Sequence, residues 1–293
     1  MVFSSTGDII RKTAPTGRNL LNSAVSGAAL VAQGLFAALF PSDCRLCGAP
    51  LENISRLPVC TGCLLAIAPI TGETCDIRGE RLPGLRQLAA ETRACPVCQE
   101  SRPIFTKAAA YESYQGELRD LIHLLKYEQV VPAAGVLGKM LAEAIDKFGF
   151  SAGPLLVMPV PLHRSKRRAR GFNQAELIAR AALKQLKPLG AELATNVMER
   201  CRDTISHIGL TRPQRAENIR GAFRVVHLNR VSGREVLLVD DVLTTGTTAS
   251  ECARILRKAG ATKVWIATVA RTLKQSGADL KVEPEFEPAV WAS

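Results

Sequence analysis

Two adjacent carboxylates, Asp240 and Asp241, end an apolar run from Val236 to Val239. A loop of small residues follows at once, Thr244-Thr245-Gly246-Thr247-Thr248. The apolar run predicts a buried parallel strand that carries the acids at its C-terminal end. The loop can wrap backbone N–H groups and hydroxyls around an anion where the next helix begins. Thr244, Thr245, Thr247 and Thr248 each offer a hydroxyl donor, and Gly246 permits close backbone approach or a positive φ. An ordinary strand-to-helix turn is the bland alternative, but strand, acid pair, Thr/Gly loop and helix coincide here in one order. No Gly-Lys-Ser/Thr is present in the stretch, which excludes a Walker loop.

The second concentration of chemistry is cysteine. Seven of the 9 cysteines lie between Cys44 and Cys98, a clustering that favours a local metal module over a chain-wide disulfide framework. Cys44-x2-Cys47 and Cys60-x2-Cys63 form two knuckles that supply four thiolates to one tetrahedral zinc. Redox Cys-x-x-Cys motifs come singly, so two adjacent pairs point to metal. A poorer set follows, Cys75 with Cys95-x2-Cys98. Only three thiolates are present, because Arg78 stands where the partner of Cys75 would fall and cannot ligate. Asp76 or a distant residue could complete this second metal site, or packing alone holds it. Cys201 and Cys252 read as packing residues.

The third is a basic run after the segment Leu155 to Val160: His163, Arg164, Lys166, Arg167, Arg168 and Arg170. In an open α/β sheet the loops at the strand C-termini build the site. A cationic loop there suits a pyrophosphate or a nucleic-acid backbone, against the alternative of a solvated surface run. Arg212, Arg215 and Arg220 add positive charge. The formal net charge of +11 over 293 residues is compatible with nucleic acid, a membrane surface or phosphorylated small molecules. Aromatic residues make up only 5% of the chain, which disfavours an extended base-stacking platform.

The elements that position these groups follow from periodicity. Leu118, Leu121, Ile122 and Leu125 mark a helix, with Arg119, His123 and Lys126 on its other faces and His123 read as solvated. Gly135 to Phe148 reads as a second helix. Leu155 to Val160 reads as the first core strand, followed by the basic loop and a helix from Gly171 to about Leu186. Residues 192–201 and 223–228 read as strands, and 202–210 as a loop. Thr211-x2-Gln214 is a capping-box start. The helix after the Thr/Gly loop runs from about Thr247 to Ala259, with Gly260 as its stop, and Val264 to Val269 is a further buried strand. Leu20 to Phe40 is apolar but interrupted by polar residues and glycines. It lacks a cleavage site and reads as an amphipathic helix, neither a signal peptide nor a membrane span. The domain reading is an N-terminal extension (1–43), a double ribbon with a degenerate second half (44–104), a catalytic-type α/β domain (105–275) and a weakly ordered tail (276–293).

The stretch EVLLVDDVLTTGTT resembles the phosphoribosyl pyrophosphate (PRPP) signature of the type I phosphoribosyltransferases. In that family the two acids hold the ribose hydroxyls and the Thr/Gly loop holds the 5′-phosphate. The residue types suit those tasks, since acceptor-only carboxylates grip a diol and clustered donors grip a phosphate. Over Cys44 to Arg271 the ordered set of cysteine pairs, LIHLLKY, VMPVPLHRSKRRARGFNQAEL, LTRPQRAENIRGAF and VLLVDDVLTTGTT is similar to the ComF family. The resemblance implies an open, mostly parallel α/β sheet of phosphoribosyltransferase type behind an N-terminal zinc ribbon. It implies Zn²⁺ at Cys44, Cys47, Cys60 and Cys63, and Mg²⁺ accompanying PRPP at Asp240 and Asp241. It also implies a cytoplasmic role with incoming single-stranded DNA in natural transformation, with a helicase or another competence protein as partner. An active phosphoribosyltransferase acting on an unknown base is the alternative. A PRPP-sensing regulator ranks third, because no helix-turn-helix is evident. Two departures stand out: Arg78 where the second ribbon of the family has a cysteine, and His207 where its members carry glutamine.

Overall fold

The computed structural model describes residues 42–51, 55–82, 93–151, 153–186, 190–204 and 211–272. The expected N-terminal helix, the loop position His207 and the C-terminal tail lie outside these residues. The chain forms two compact units, Met1–Cys60 and Thr61–Ser293.

The second unit opens with two short helices, α1 (Thr61–Ala66) and α2 (Pro96–Glu100). Then β1 (Lys107–Ser113) leads to α3 (Gly116–Tyr127) and α4 (Ala133–Ile145). Next come β2 (Leu156–Pro159), α5 (Arg164–Arg170), α6 (Gln174–Leu183) and the two-residue β3 (Glu192–Leu193). A separate antiparallel pair, β4 (Met198–Arg200) and β5 (Phe223–Val225), flanks α7 (Arg212–Ile219). β6 (Glu235–Leu243), α8 (Thr247–Lys258) and β7 (Lys263–Arg271) complete the unit.

Five strands form one sheet in the order β1-β7-β6-β2-β3, and every pairing in it is parallel. The central strands are buried on both faces, which is why they read as continuous apolar runs. The first strand in the chain is β1, not β2 as the sequence suggested. Its run Lys-Ala-Ala-Ala-Tyr lacks the β-branched residues that announce a strand, and only pairing with β7 makes it one. The edge of β1 is covered by the chain that precedes it. Ile70 N–H donates to Tyr111 O at 2.7 Å, and Ala108 N–H donates to Ile77 O at 2.7 Å. That cover removes an open sheet edge.

From β2 the chain steps through α6 to β3 on one side, and from β6 it steps through α8 to β7 on the other. The strand order therefore reverses between β2 and β6, the place where open α/β sheets leave a crevice beyond the strand C-termini. The α4 helix crosses α6 closely at Gly138, where a Cβ would lie 2.4 Å from the Ala181 methyl.

Two expected elements differ. Residues 192–201 do not make one strand, because the chain leaves the main sheet after Leu193 and re-pairs with β5 from Met198. The expected strand 223–228 stops at Val225, and Leu228–Arg230 form a 3₁₀ turn.

Candidate functional site

β6 outlasts β2. Its last partner on β2 is Pro159, opposite Val239, whereas its pairing with β7 continues from Asp240 through Leu243. The acids thus lie on the overrun of a central strand, at the point where the strand order reverses. Strand alternation sends them to opposite faces. Asp241 shares its face with Leu237 and Val239, and Asp240 shares its face with Leu238.

The two carboxylates are not equivalent. Asp241 is 5% exposed and its Oδ2 lies 2.8 Å from Lys126 Nζ, at the end of α3. Burial opposes its charge, but the Lys126 ammonium prevails and holds the carboxyl below the usual range. Lys126, also opposed by burial, is held up by Asp241. Among the described residues Asp240 has no ion-pair partner, and Lys126 acts on it only through its charge. Burial first, and then the Asp241 charge, push it up to about 8. Asp241 N–H donates to Asp240 Oδ1 at 3.0 Å. Lys126 was legible only as a polar position on a helix face, because its partner lies far along the chain.

The same end of α3 corrects the reading of His123. Its Nε2 is 2.8 Å from Tyr114 Oη, and its ring meets Tyr127 edge-on with centroids 5.2 Å apart. It is half-buried against two tyrosines rather than fully solvated. Arg170 lies over Tyr127 at 5.6 Å, donates to Gln174 Oε1 at 2.6 Å, and its charge acts on Asp241.

After Leu243 the loop turns through Gly246, at φ 75° and ψ 9°, into α8. Among the described residues no side chain caps the helix, so none of them gives the N–H groups of its first turn a side-chain acceptor. Thr245 Oγ1 and Thr247 Oγ1 are 2.7 Å apart. Thr244 is exposed, and Thr245, Thr247 and Thr248 are partly exposed. The arrangement is a donor-lined turn at the N-terminus of a helix of 12 residues, adjoining the acid pair.

The basic stretch is not a loop. Residues Arg164–Arg170 form α5, capped by His163, whose side chain accepts from Ser165 N–H, and stopped by Gly171 at φ 82°. Ser165 Oγ and His163 Nδ1 both reach Asp203, at 2.7 and 3.1 Å. The helix spreads its cations around its circumference: Arg167 pairs with Glu176 at 3.7 Å and Arg170 turns inward, while Arg164, Lys166 and Arg168 are exposed. Among the described residues those three have no ion-pair partner. From β4, Arg200 adds a further cation, stacked 5.5 Å from Phe223 and hydrogen-bonded to Thr204, within the field of Asp240.

The sulfurs of Cys44, Cys47, Cys60 and Cys63 lie within 4.8 Å of one another. Cys47 Sγ and Cys60 Sγ are 3.7 Å apart, close to the roughly 3.8 Å edge of a tetrahedron with 2.3 Å zinc–sulfur bonds. Cys60 N–H points at Cys44 Sγ from 3.3 Å. Burial opposes a thiolate at Cys44, yet the N–H groups of Cys60, Cys47 and Leu46 bring it down to about 6. These four residues fit a zinc ion. Cys75, Cys95 and Cys98 also converge, all buried, as a set of three. Asp76 does not complete it, since its carboxylate is engaged by Arg93 through the backbone N–H at 3.0 Å and the guanidinium at 3.5 Å. Cys252 is buried in α8 as expected, whereas Cys201 is exposed just after β4.

Sheet, crevice and donor-lined turn define the class: an α/β protein of phosphoribosyltransferase type, preceded by cysteine clusters compatible with a zinc ribbon. A family model, the phosphoribosyl transferase domain, matches residues 188–287. The chain is 29% identical to the DNA utilization protein YhgH of Salmonella typhimurium over 80% of its own length and 98% of that protein's. It is 28% identical to Competence protein F of Haemophilus influenzae over 75% and 93%. The chain is thus similar to a DNA utilization protein and to a competence protein over nearly the whole length of each. A solved allosteric regulatory enzyme of purine biosynthesis aligns at 26% identity over 47% of this chain and 26% of its own, with a TM-score of 0.30. Among the described residues no helix is long and apolar enough to cross a membrane.

Proposed function

We propose that this chain is a ComF-type competence protein that handles incoming single-stranded DNA, and that its crevice holds a 5′-phosphorylated ribose such as that of PRPP. The carrying observation is the overrun of β6, which sets Asp240 and Asp241 beside an uncapped, threonine-lined helix N-terminus. The DNA role is supported by the names of the relatives, a DNA utilization protein and a competence protein.

Each group then has a task. Asp241, kept ionised by Lys126, accepts from a ribose hydroxyl. Asp240 holds a proton below about pH 8 and gives it up to accept from the neighbouring hydroxyl. Thr244, Thr245, Thr247 and Thr248 and the first-turn N–H groups of α8 enclose the 5′-phosphate. From α5, the exposed Arg164, Lys166 and Arg168 meet the pyrophosphate or a nucleic-acid backbone, while Arg167 pairs with Glu176 and Arg170 acts beside Asp241. Asp240 and Asp241 would hold the Mg²⁺ that accompanies PRPP, and that ion would supply neutralising charge to the pyrophosphate. Cys44, Cys47, Cys60 and Cys63 would hold the Zn²⁺ that fixes the ribbon.

A second reading, transfer of the phosphoribosyl group to a nitrogenous base, is favoured by the α5 cations. They follow β2, next to the acids, where a leaving pyrophosphate would gather charge. The deciding experiment is calorimetric titration of the zinc-loaded protein with Mg-PRPP, with Asp240→Asn/Asp241→Asn as control. Saturable binding lost in the double variant supports the site. Equal affinity in both proteins sinks it. Pyrophosphate release on addition of a panel of bases would establish the transferase reading.

A further inference from the structure

The second cysteine cluster repeats the backbone of the first, residue for residue, around its opening knuckle. Cys44 N–H donates to Ala49 O at 2.7 Å, and Cys75 N–H donates to Glu80 O at 2.7 Å. Gly48 N–H donates to Cys44 O at 2.8 Å, and Gly79 N–H donates to Cys75 O at 2.7 Å. An isolated bridge joins Asp43 to Pro50, and another joins Thr74 to Arg81. Cys60 N–H approaches Cys44 Sγ at 3.3 Å, and Cys95 N–H approaches Cys75 Sγ at 3.3 Å. In this correspondence Arg78 stands in the place of Cys47. Its backbone still behaves as a metal knuckle, for Arg78 N–H points at Cys75 Sγ from 3.4 Å.

The side chain does something else. Arg78 Nη1 donates to the carbonyl of Thr245 at 3.3 Å, and the same nitrogen lies 3.2 Å from where a Cβ on Gly246 would be. The guanidinium passes 5.8 Å from the centre of the Phe105 ring, and its Nε is buried without a hydrogen-bond partner. Among the described residues no carboxylate pairs with it. Another arginine acts on it through its charge. Arg271 is 3% exposed, bonds the Arg78 carbonyl, and leans on Glu80 at 3.7 Å. A guanidinium held partly out of water, beside a like charge and with only a carbonyl as acceptor, is an incomplete arrangement. What would complete it is an anion in the turn that the guanidinium already touches.

The aim is built in. Gly79 has φ 64°, and a Cβ there would lie 2.8 Å from Ala108 O, so only glycine lets the knuckle seat against β1. Gly48, at the matching position, has nothing within 4 Å. Seating on β1 is what brings residue 78 to the loop after β6.

We propose that Arg78 is a phosphate-binding residue of the Thr244–Thr248 turn, delivered by a metal-ribbon knuckle in which it has replaced the fourth cysteine. This rests on the reading of that turn as a 5′-phosphate site. A cysteine position has been exchanged for an anion ligand, so the second ribbon serves the crevice directly.

The test titrates ribose 5-phosphate into wild type, Arg78→Ala, Arg78→Lys and Asp240→Asn/Asp241→Asn, with melting temperatures taken without and with ligand. Loss of one charge-assisted contact weakens binding about tenfold to a hundredfold in Arg78→Ala. Arg78→Lys recovers part of that loss. The ligand-free melting temperature of Arg78→Ala stays at or above that of wild type, because an unpaired guanidinium has been removed, while the stabilisation by ligand disappears. Wild-type affinity in Arg78→Ala overturns the proposal and leaves the phosphate site standing. A fall in the ligand-free melting temperature with ligand stabilisation intact also overturns it, making Arg78 a structural residue. Failure of wild type to bind ribose 5-phosphate overturns both readings together.

Discussion

Lys126 Nζ lies 2.8 Å from Asp241 Oδ2, with both side chains about nine-tenths buried. An acid at the end of a central strand is thereby charged in advance, while its neighbour Asp240 is not. The pair offers one ready acceptor and one that must first release a proton.

Removing the lysine alone leaves a buried carboxylate unpaired. Lys126→Met lowers unfolding stability in urea by about 3 kcal/mol, and adding Asp241→Asn restores most of it. Equal stability of wild type and Lys126→Met would show that the pair is spectator chemistry.

The unequal acids set a pH dependence. Asp240, raised to about 8 in the fold, keeps its proton where the unfolded chain has lost it. Its contribution to stability therefore declines as pH rises from about 4 towards 8 and is level above that. Asp241, held low, contributes in the opposite sense: its stabilisation is present above the unfolded carboxylate pKa and is lost as pH falls below it. Asp240→Asn removes the decline between pH 5 and 8, read from denaturation midpoints. Affinity for ribose 5-phosphate rises with pH over the same window and levels near 8, since the ligand needs the carboxylate.

The two cysteine clusters answer metal removal differently. Cys44→Ser lowers bound zinc by about one equivalent per chain, measured by elemental analysis. In the second cluster, burial pushes Cys98 up to about 12, so without metal it stays a thiol. Cys98→Ser changes zinc content by less than Cys44→Ser does. The reverse order of losses would exchange the roles of the clusters.

Exposed cations on α5 predict a salt effect. Arg164→Ala/Lys166→Ala/Arg168→Ala weakens single-stranded DNA binding and reduces the slope of log affinity against log salt by about 2. An unchanged slope would move the DNA surface elsewhere.

Gly138→Ala tests the helix crossing that backs the central strands. The added methyl meets Ala181 at 2.4 Å, so α4 and α6 must separate, at a cost of about 1–3 kcal/mol in thermal unfolding.

The sequence by itself determined much of this protein. The run Val236–Val239, the acids and the Thr/Gly turn announced strand, turn and helix, because their logic is local: burial periodicity and a glycine in the left-handed region. The cysteine spacing announced the convergence of the thiols for the same reason, since a knuckle is made by neighbours in the chain. Only the tertiary structure decided which acid is charged, because Lys126 and Asp241 meet through the packing of α3 on the sheet. It alone made β1 a strand, since its alanines gain that conformation from pairing with β7. It turned the basic run into a helix whose cations diverge. And it carried Arg78, legible in the sequence only as a missing cysteine, to the carbonyl of Thr245. Long-range pairing depends on how the chain closes on itself, and no spacing along the chain records that.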